Sequence, residues 1–230
     1  MKIKHNDTLD SYYRDDSRGD IAILGGSFNP IHNSHIEMAV KVHEKFNIDV
    51  VLMPNKSTYY KDNKKFVEDE HRLWMIRRVA SEYDYLFYSD MEIRRGGVTH
   101  TIDTIRELKK VDPDRKIYFI IGGDSLKWVD NWIEADELFD NVTYIAYARD
   151  DDNLDNAANE IKRIKNGHSN ADIYLMDSFV APISSTKIRE NINSGISIKN
   201  MLPDYLEEYI LQNRLYKESK YGTSRDDKKA

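Results

Sequence analysis

The chain has no cysteine in its 230 residues. It can therefore form no disulfide, bind no metal through thiolates and use no thiol nucleophile, and it fits a reducing compartment. It also lacks an excess of positive charge. Lys and Arg number 34 against 40 Asp and Glu, a formal net charge of −6. No broad basic field marks a nucleic-acid partner, so any anion site must be local. No apolar run approaches the length of a membrane span. The first 20 residues are polar and charged, without the apolar segment of a signal peptide. These absences predict a soluble cytoplasmic protein with no membrane partner. Also missing are a G-x-G-x-x-G run after the first apolar segment, which argues against a dinucleotide-binding dehydrogenase, a carboxylate dyad or Ser-His-Asp set, and any internal repeat.

What is present is an alternation of short apolar runs with amphipathic stretches. Ile21–Leu24, Ile48–Met53, Tyr85–Tyr88, Lys116–Ile121, Val142–Ala148 and Ile173–Met176 read as buried strands. Between and after them, Ser34–Phe46, Glu68–Ala80, Thr101–Lys110, Asn131–Phe139, Asp150–Asn170, Ser184–Asn193 and Pro203–Asn213 read as helices. Strands alternating with helices predict an α/β fold: a doubly wound, Rossmann-like parallel sheet, with ligands outside the carboxyl ends of its strands. The expected organisation is a polar lead-in at 1–19, one domain at 20–216 with C-terminal helices, and a charged tail at 217–230. Self-association is neither required nor excluded by the sequence.

The first strand runs into Gly25-Gly26-Ser27-Phe28-Asn29-Pro30-Ile31-His32-Asn33-Ser34-His35. Two glycines let the backbone approach a ligand, and the first-turn N–H groups of the next helix point to the same place. Ser34 is the expected N-cap, with Glu37 closing a capping box. A helix N-terminus favours an anion by about 0.3–1 kcal/mol per charge when exposed. His32 and His35 beside it make this a phosphate site. A second such element is Ile183-Ser184-Ser185-Thr186-Lys187-Ile188-Arg189. One hydroxyl suffices to cap a helix; three, followed by Lys187 and Arg189, read either as a second anion cradle or as a plain cap with solvated bases.

Together the two elements resemble the paired motifs of the HxGH nucleotidylyltransferases, the second being similar to the ISSTxxR element of that superfamily. Here Asn29 stands where an Asp is usual and Ser34 where a Gly is usual. Asn29 keeps the turn-forming hydrogen bond without the charge, and Ser34 adds a side chain where the backbone is expected close to the nucleotide. Within the superfamily, Ile120-Ile121-Gly122-Gly123-Asp124-Ser125-Leu126 with Trp132, and Thr99-His100-Thr101-Ile102-Asp103-Thr104-Ile105, resemble the bacterial nicotinate mononucleotide adenylyltransferases, with His100 in place of a tyrosine. Leu202-Pro203, Tyr209-Ile210 and Leu215-Tyr216 resemble that family's closing helix. The likeness spans about Ile21 to Tyr216.

The resemblance implies transfer of AMP from ATP to nicotinate mononucleotide, giving deamido-NAD and pyrophosphate. His32, His35 and Arg189 would be catalytic. Gly25, Gly26, Ser27, Phe28, Ser34, Asp124, Ser184, Ser185 and Thr186 would bind ATP. Thr101, Ile102, Trp132, Ile133, Lys61 and Arg149 would bind the nicotinate nucleotide. Alone, Trp132 reads equally as core, Asp124 as a helix cap and Arg149 as a solvated base; Lys61 follows a Ser57-Thr58-Tyr59-Tyr60 loop that lacks the family's prolines. Mg²⁺ would bridge ATP phosphates with mostly water as its other ligands and no dedicated protein metal site. The alternatives are a nicotinamide mononucleotide adenylyltransferase and a non-catalytic nucleotide-binding module on the same fold.

Overall fold

A computed structural model describes residues 19–56, 67–148, 151–176 and 180–217. Among them, in chain order, are β1 (Ile21–Gly26), α1 (Asn33–Phe46), β2 (Asp49–Pro54), α2 (Asp69–Ala80), β3 (Leu86–Tyr88) and α3 (Met91–Arg95). There follow α4 (Thr101–Val111), β4 (Ile117–Gly122), α5 (Gly123–Leu126), α6 (Ala135–Asn141), β5 (Val142–Tyr147), α7 (Asp151–Gly167), β6 (Asp172–Met176), α8 (Ser185–Ser194) and α9 (Asp204–Gln212). The strands form one six-stranded sheet in the order β3-β2-β1-β4-β5-β6, and every pair is parallel. The expected doubly wound α/β fold is the one found.

Strand alternation explains the two layers. Ala22, Leu24, Val50 and Leu52 face α1, α2, α8 and α9. Ile21, Ile23, Val51 and Met53 face α4, α6 and α7. Both faces are covered, so the strands read as continuous apolar runs. Ile36, Met38, Ala39 and Val42 are buried along α1, the face that the helical spacing predicts. Tyr147 of β5 ties that helix to the sheet: its buried hydroxyl donates to the Met38 carbonyl at 3.0 Å.

The chain order reverses at β1 and β4, whose carboxyl ends lie side by side. A crevice at such a switch point is where a doubly wound sheet receives its ligand. β1 leaves through Gly25 and β4 through Gly122. A Cβ on Gly25 would stand 3.0 Å from the tip of the Phe119 ring, so glycine lets that ring lie close against β1 in addition to any approach of a ligand.

The short helices α3 and α5 are not expected from the sequence, and two expected helices start elsewhere. The expected helix over Asn131–Phe139 begins only at Ala135, after a single 3-10 turn at Val129–Asn131. Trp132 is extended, with ψ of 153°, and Glu134 takes a left-handed φ of 55°. The packing of Trp132 on the sheet breaks the helix there. The start of α1 also moves: its N-cap is His32, and Ser34 lies inside the first turn.

Replacing Tyr147 with Phe should cost about 1 kcal/mol of stability, the net worth of one buried hydrogen bond. Urea unfolding would read this as a lower midpoint; an unchanged midpoint would contradict the assigned anchor.

Candidate functional site

The site is assembled where α1 and α8 begin. Ser34 donates its hydroxyl proton to the Ala181 carbonyl and accepts from the Ile183 N–H at 3.3 Å. Glu37 accepts from the Ala181 N–H at 3.3 Å. The expected Ser34–Glu37 capping box is therefore replaced: both side chains, although on α1, secure the segment that leads into α8. The short polar side chain at 34 is turned to that segment, which is why a residue larger than glycine fits there.

From the α8 side, Ser184 caps its own helix by accepting from the Lys187 N–H at 3.2 Å. Ser185 is thereby released from capping and donates to the Pro30 carbonyl at 2.8 Å. Arg189 donates to the Asn29 carbonyl at 2.7 Å and to Thr186 Oγ1 at 3.2 Å. The surplus hydroxyls of the 184–186 run thus have separate partners. Asn29 is fully buried, and its side-chain oxygen accepts from the Val67 N–H at 3.3 Å; a charged Asp is not needed for that bond. Phe28, at the apex, is buried with a left-handed φ of 43°.

The two histidines lie face to face, ring centroids 3.7 Å apart, with the Phe28 ring edge-on to His35 at 5.0 Å. The His32 backbone N–H donates to His35 Nδ1 at 3.4 Å. That bond makes Nδ1 an acceptor, so a neutral His35 carries its proton on Nε2, ready to donate to an oxyanion. His32 is 4 % exposed, and its Nδ1 has no hydrogen-bond partner among the described residues. Burial lowers its pKa to about 4. It is neutral at pH 7 without an anion, and a bound phosphate would favour the charged form.

Tyr216 packs against the same core cluster, near the two arginines that hold this turn. Burial raises its pKa, the neighbouring Arg189 and Arg72 charges pulling the other way. Its buried hydroxyl has no hydrogen-bond partner among the described residues.

On the other side of the crevice, Trp132 is half-buried. Its ring meets Phe119 at 6.0 Å and Tyr144 at 6.3 Å, both edge-to-face. Phe119 in turn lies against Gly25, so Trp132 is joined to the exit of β1 through one ring. One portion of the Trp132 ring thus packs as core, and the rest is open to solvent. Ile133 is exposed. Asp124 is exposed within α5, whose N-cap is Gly122, so it is not the cap of that helix. Thr101 and Ile102 form the first turn of α4. Lys61 and Arg149 lie outside the described residues.

Sequence reasoning missed what braces α4. Glu92, on α3, is 6 % exposed. It accepts from Thr104 Oγ1 at 2.6 Å, and Arg95 donates to the same hydroxyl at 2.8 Å. Arg95 also pairs with Glu107 at 2.7 Å. Burial raises the Glu92 pKa to about 7 against the lowering effects of Thr104 and Arg95. The missed signal is a Glu-x-x-Arg pair just ahead of a Thr at the buried position of an amphipathic helix. Among the described residues, no three His, Cys, Asp or Glu gather into a group that could hold a metal. No helix there is long and apolar enough to cross a membrane.

A parallel sheet with paired helix N-termini at its switch point defines the nucleotidyltransferase class. Residues 23–191 match the family profile described as cytidylyltransferase-like. A relative from Lachnoclostridium phytofermentans, described as a probable nicotinate-nucleotide adenylyltransferase, is 35% identical over 197 residues, covering 85% of this chain and 98% of its own. A second from Lactococcus lactis, described in the same words, is 35% identical over 202 residues, covering 87% and 97%. The structure titled Plasmodium falciparum nicotinic acid mononucleotide adenylyltransferase complexed with NaAD superposes with a TM-score of 0.72. It is 23% identical and covers 86% of this chain and 98% of that one, a likeness of fold. The chain belongs to the nicotinate-nucleotide adenylyltransferase family within the cytidylyltransferase-like class.

His32 and Glu92 should impose opposite pH dependences. His32, held neutral to about pH 4, withdraws stability as pH falls from about 6.5, because the unfolded chain takes up the proton first. Glu92, held protonated to about pH 7, withdraws stability as pH rises from about 4.5, because the unfolded chain releases its proton first. Each is worth at most about 3 kcal/mol over its window. Relative to the parent, His32→Asn should gain stability at pH 4.5 over pH 7, and Glu92→Gln at pH 8 over pH 5. Urea unfolding at paired pH values would show both; parallel pH profiles for parent and variants would contradict the burial of these groups.

Proposed function

We propose that the protein transfers the adenylyl group of ATP to nicotinate mononucleotide, forming deamido-NAD and pyrophosphate. The observation that carries this reading is the junction of α1 and α8, where two helix N-termini, two imidazoles and Arg189 converge on one turn. One helix N-terminus attracts a phosphate; two joined ones suit a chain of phosphates.

In the reaction an oxygen of the acceptor's 5′-phosphate attacks the α-phosphorus of ATP. The bond from that phosphorus to the α,β-bridging oxygen breaks, and pyrophosphate leaves. The attacking phosphate monoester has a second pKa near ~6 and is mostly dianionic at pH 7, so no strong base is required. The work is alignment of two polyanions and stabilisation of developing charge. His35 donates from Nε2 and His32 becomes cationic beside phosphate oxygens in the α and β region. Ser184, Ser185, Thr186 and Arg189 accompany the leaving pyrophosphate. Gly25, Gly26, Ser27 and Phe28 line the ATP side with their backbone, Ser34 holds the two halves together, and Asp124 serves the ribose.

The acceptor's ring rests by Trp132 and Ile133. Its carboxylate meets the N–H groups of Thr101 and Ile102, which open α4. A carboxylate needs only donors, whereas the amide also requires an acceptor for its NH₂. That asymmetry supports the acid over the nicotinamide nucleotide. Lys61 and Arg149 are proposed as further contacts to the acceptor nucleotide. Mg²⁺ would accompany ATP as part of the substrate and would supply charge neutralisation on its phosphates.

Pyrophosphate release from ATP should be rapid with nicotinate mononucleotide and at least roughly tenfold slower in kcat/KM with its amide, a difference of about 1.4 kcal/mol. Equal rates would remove the acid preference, and no turnover with either would favour a binding module. His35→Ala should lower kcat by about 100-fold or more while leaving the thermal midpoint within a few degrees; near-parental turnover would contradict its role.

A further inference from the structure

Two arginines on different helices hold successive parts of the turn between β1 and α1. Arg189 reaches Asn29 from α8. Arg72 reaches the Ser27 carbonyl from α2, donating from Nη1 at 2.7 Å. Arg72 has no exposed surface, and its Nη2 pairs with Asp69, which also binds Lys56. Burial alone would raise the Asp69 pKa, but the bonds from Lys56 and Arg72 and their charges lower it overall. The carboxylate is thus ionised and counters the buried guanidinium. Desolvating a guanidinium is costly unless its donors and charge are met. Arg72 nevertheless occupies the apolar stripe of α2, in line with Ile76, Val79 and Ala80.

The bond it makes has a directional consequence. In a trans peptide the C=O and the following N–H point opposite ways. Fixing the Ser27 carbonyl toward Arg72 therefore fixes the Phe28 N–H away from it. Phe28 adopts a φ of 43°, a conformation that bulky residues rarely take and that persists only where the surroundings impose it. Its ring is 1 % exposed. The peptide on one side of that φ is held by Arg72, and the ring on the other side by the core.

We propose that Arg72 is a positioning residue for the donor nucleotide, setting the Ser27–Phe28 peptide so that the turn is formed before ATP arrives. The assignment rests on the proposed adenylyl transfer, in which this turn lines the ATP phosphates. Arg72 acts through backbone it holds and touches no reacting atom. Lysine at this position keeps the charge but loses the fork that spans Ser27 and Asp69.

The test is ATP binding by isothermal titration, with no acceptor present, to the full-length protein, Arg72→Lys, Arg72→Met and Asp69→Asn, together with the KM for nicotinate mononucleotide and the thermal midpoint. ATP affinity should fall by about tenfold in Arg72→Met and by less in Arg72→Lys, while the acceptor KM stays within about twofold. Arg72→Met and Arg72→Lys that melt lower but bind ATP as the parent does would make Arg72 a structural prop and overturn the proposal. If Arg72→Met does not fold, Arg72→Lys and Asp69→Asn decide: weaker ATP binding with unchanged acceptor KM supports it, and unchanged ATP binding in both overturns it. A parent protein that binds ATP but turns over no nicotinate mononucleotide would sink the functional reading and leave the Arg72 comparison standing. A parent that binds no ATP overturns both.

Discussion

The clasp between the starts of α1 and α8 is the constraint on which the site depends. Ser34 and Glu37 reach from α1 to Ala181 and Ile183, and Ser185 and Arg189 reach back from α8 to Pro30 and Asn29. The elements are about 150 residues apart in the chain, and α8 follows an edge strand, whereas α1 follows a central one. Without these bonds each helix N-terminus would be an ordinary surface end. With them, the positive ends of two helix dipoles share one neighbourhood, and the preference of each for an anion would act on the same ligand.

That arrangement has a cost, visible in what is buried around it. Asn29, Arg72 and His32 are polar side chains with almost no exposure, and Phe28 is in a left-handed conformation. A region chosen for stability alone would place apolar residues there. Buried polar side chains and a left-handed bulky residue gathered at one turn depart from what stability alone would select, as functional sites do. The region around α4 follows the same pattern more mildly: Glu92, Thr104 and Arg95 form a polar knot beneath α4, and Trp132 keeps part of its ring outside the core.

Much of this was legible in the sequence, because period and local chemistry carry it. The apolar runs of β1, β2, β4 and β5 and the stripe Ile36, Met38, Ala39, Val42 on α1 follow from spacing alone. His32, His35 and the Ser184–Arg189 run stood out because their residue types exceed what a turn or a cap needs. The parts that were not legible depend on partners distant in the chain. Ser34 resembles an N-cap, and only the approach of Ala181 makes it a tether. Arg72 sits at a helical position whose neighbours are apolar, a discord that reveals burial but not its target, Ser27. The late start of α6 is decided by where Trp132 packs, against Phe119 and Tyr144, which no local propensity encodes. Gly25 invites a ligand-based explanation until the Phe119 ring is seen against it.

The most direct test is a crystal structure of the protein with a non-hydrolysable ATP analogue. The phosphate chain should lie between the stacked His32 and His35 rings on one side and Ser185, Thr186 and Arg189 on the other. A triphosphate bound elsewhere on the molecule, or one that contacts α1 but leaves α8 untouched, would contradict the account.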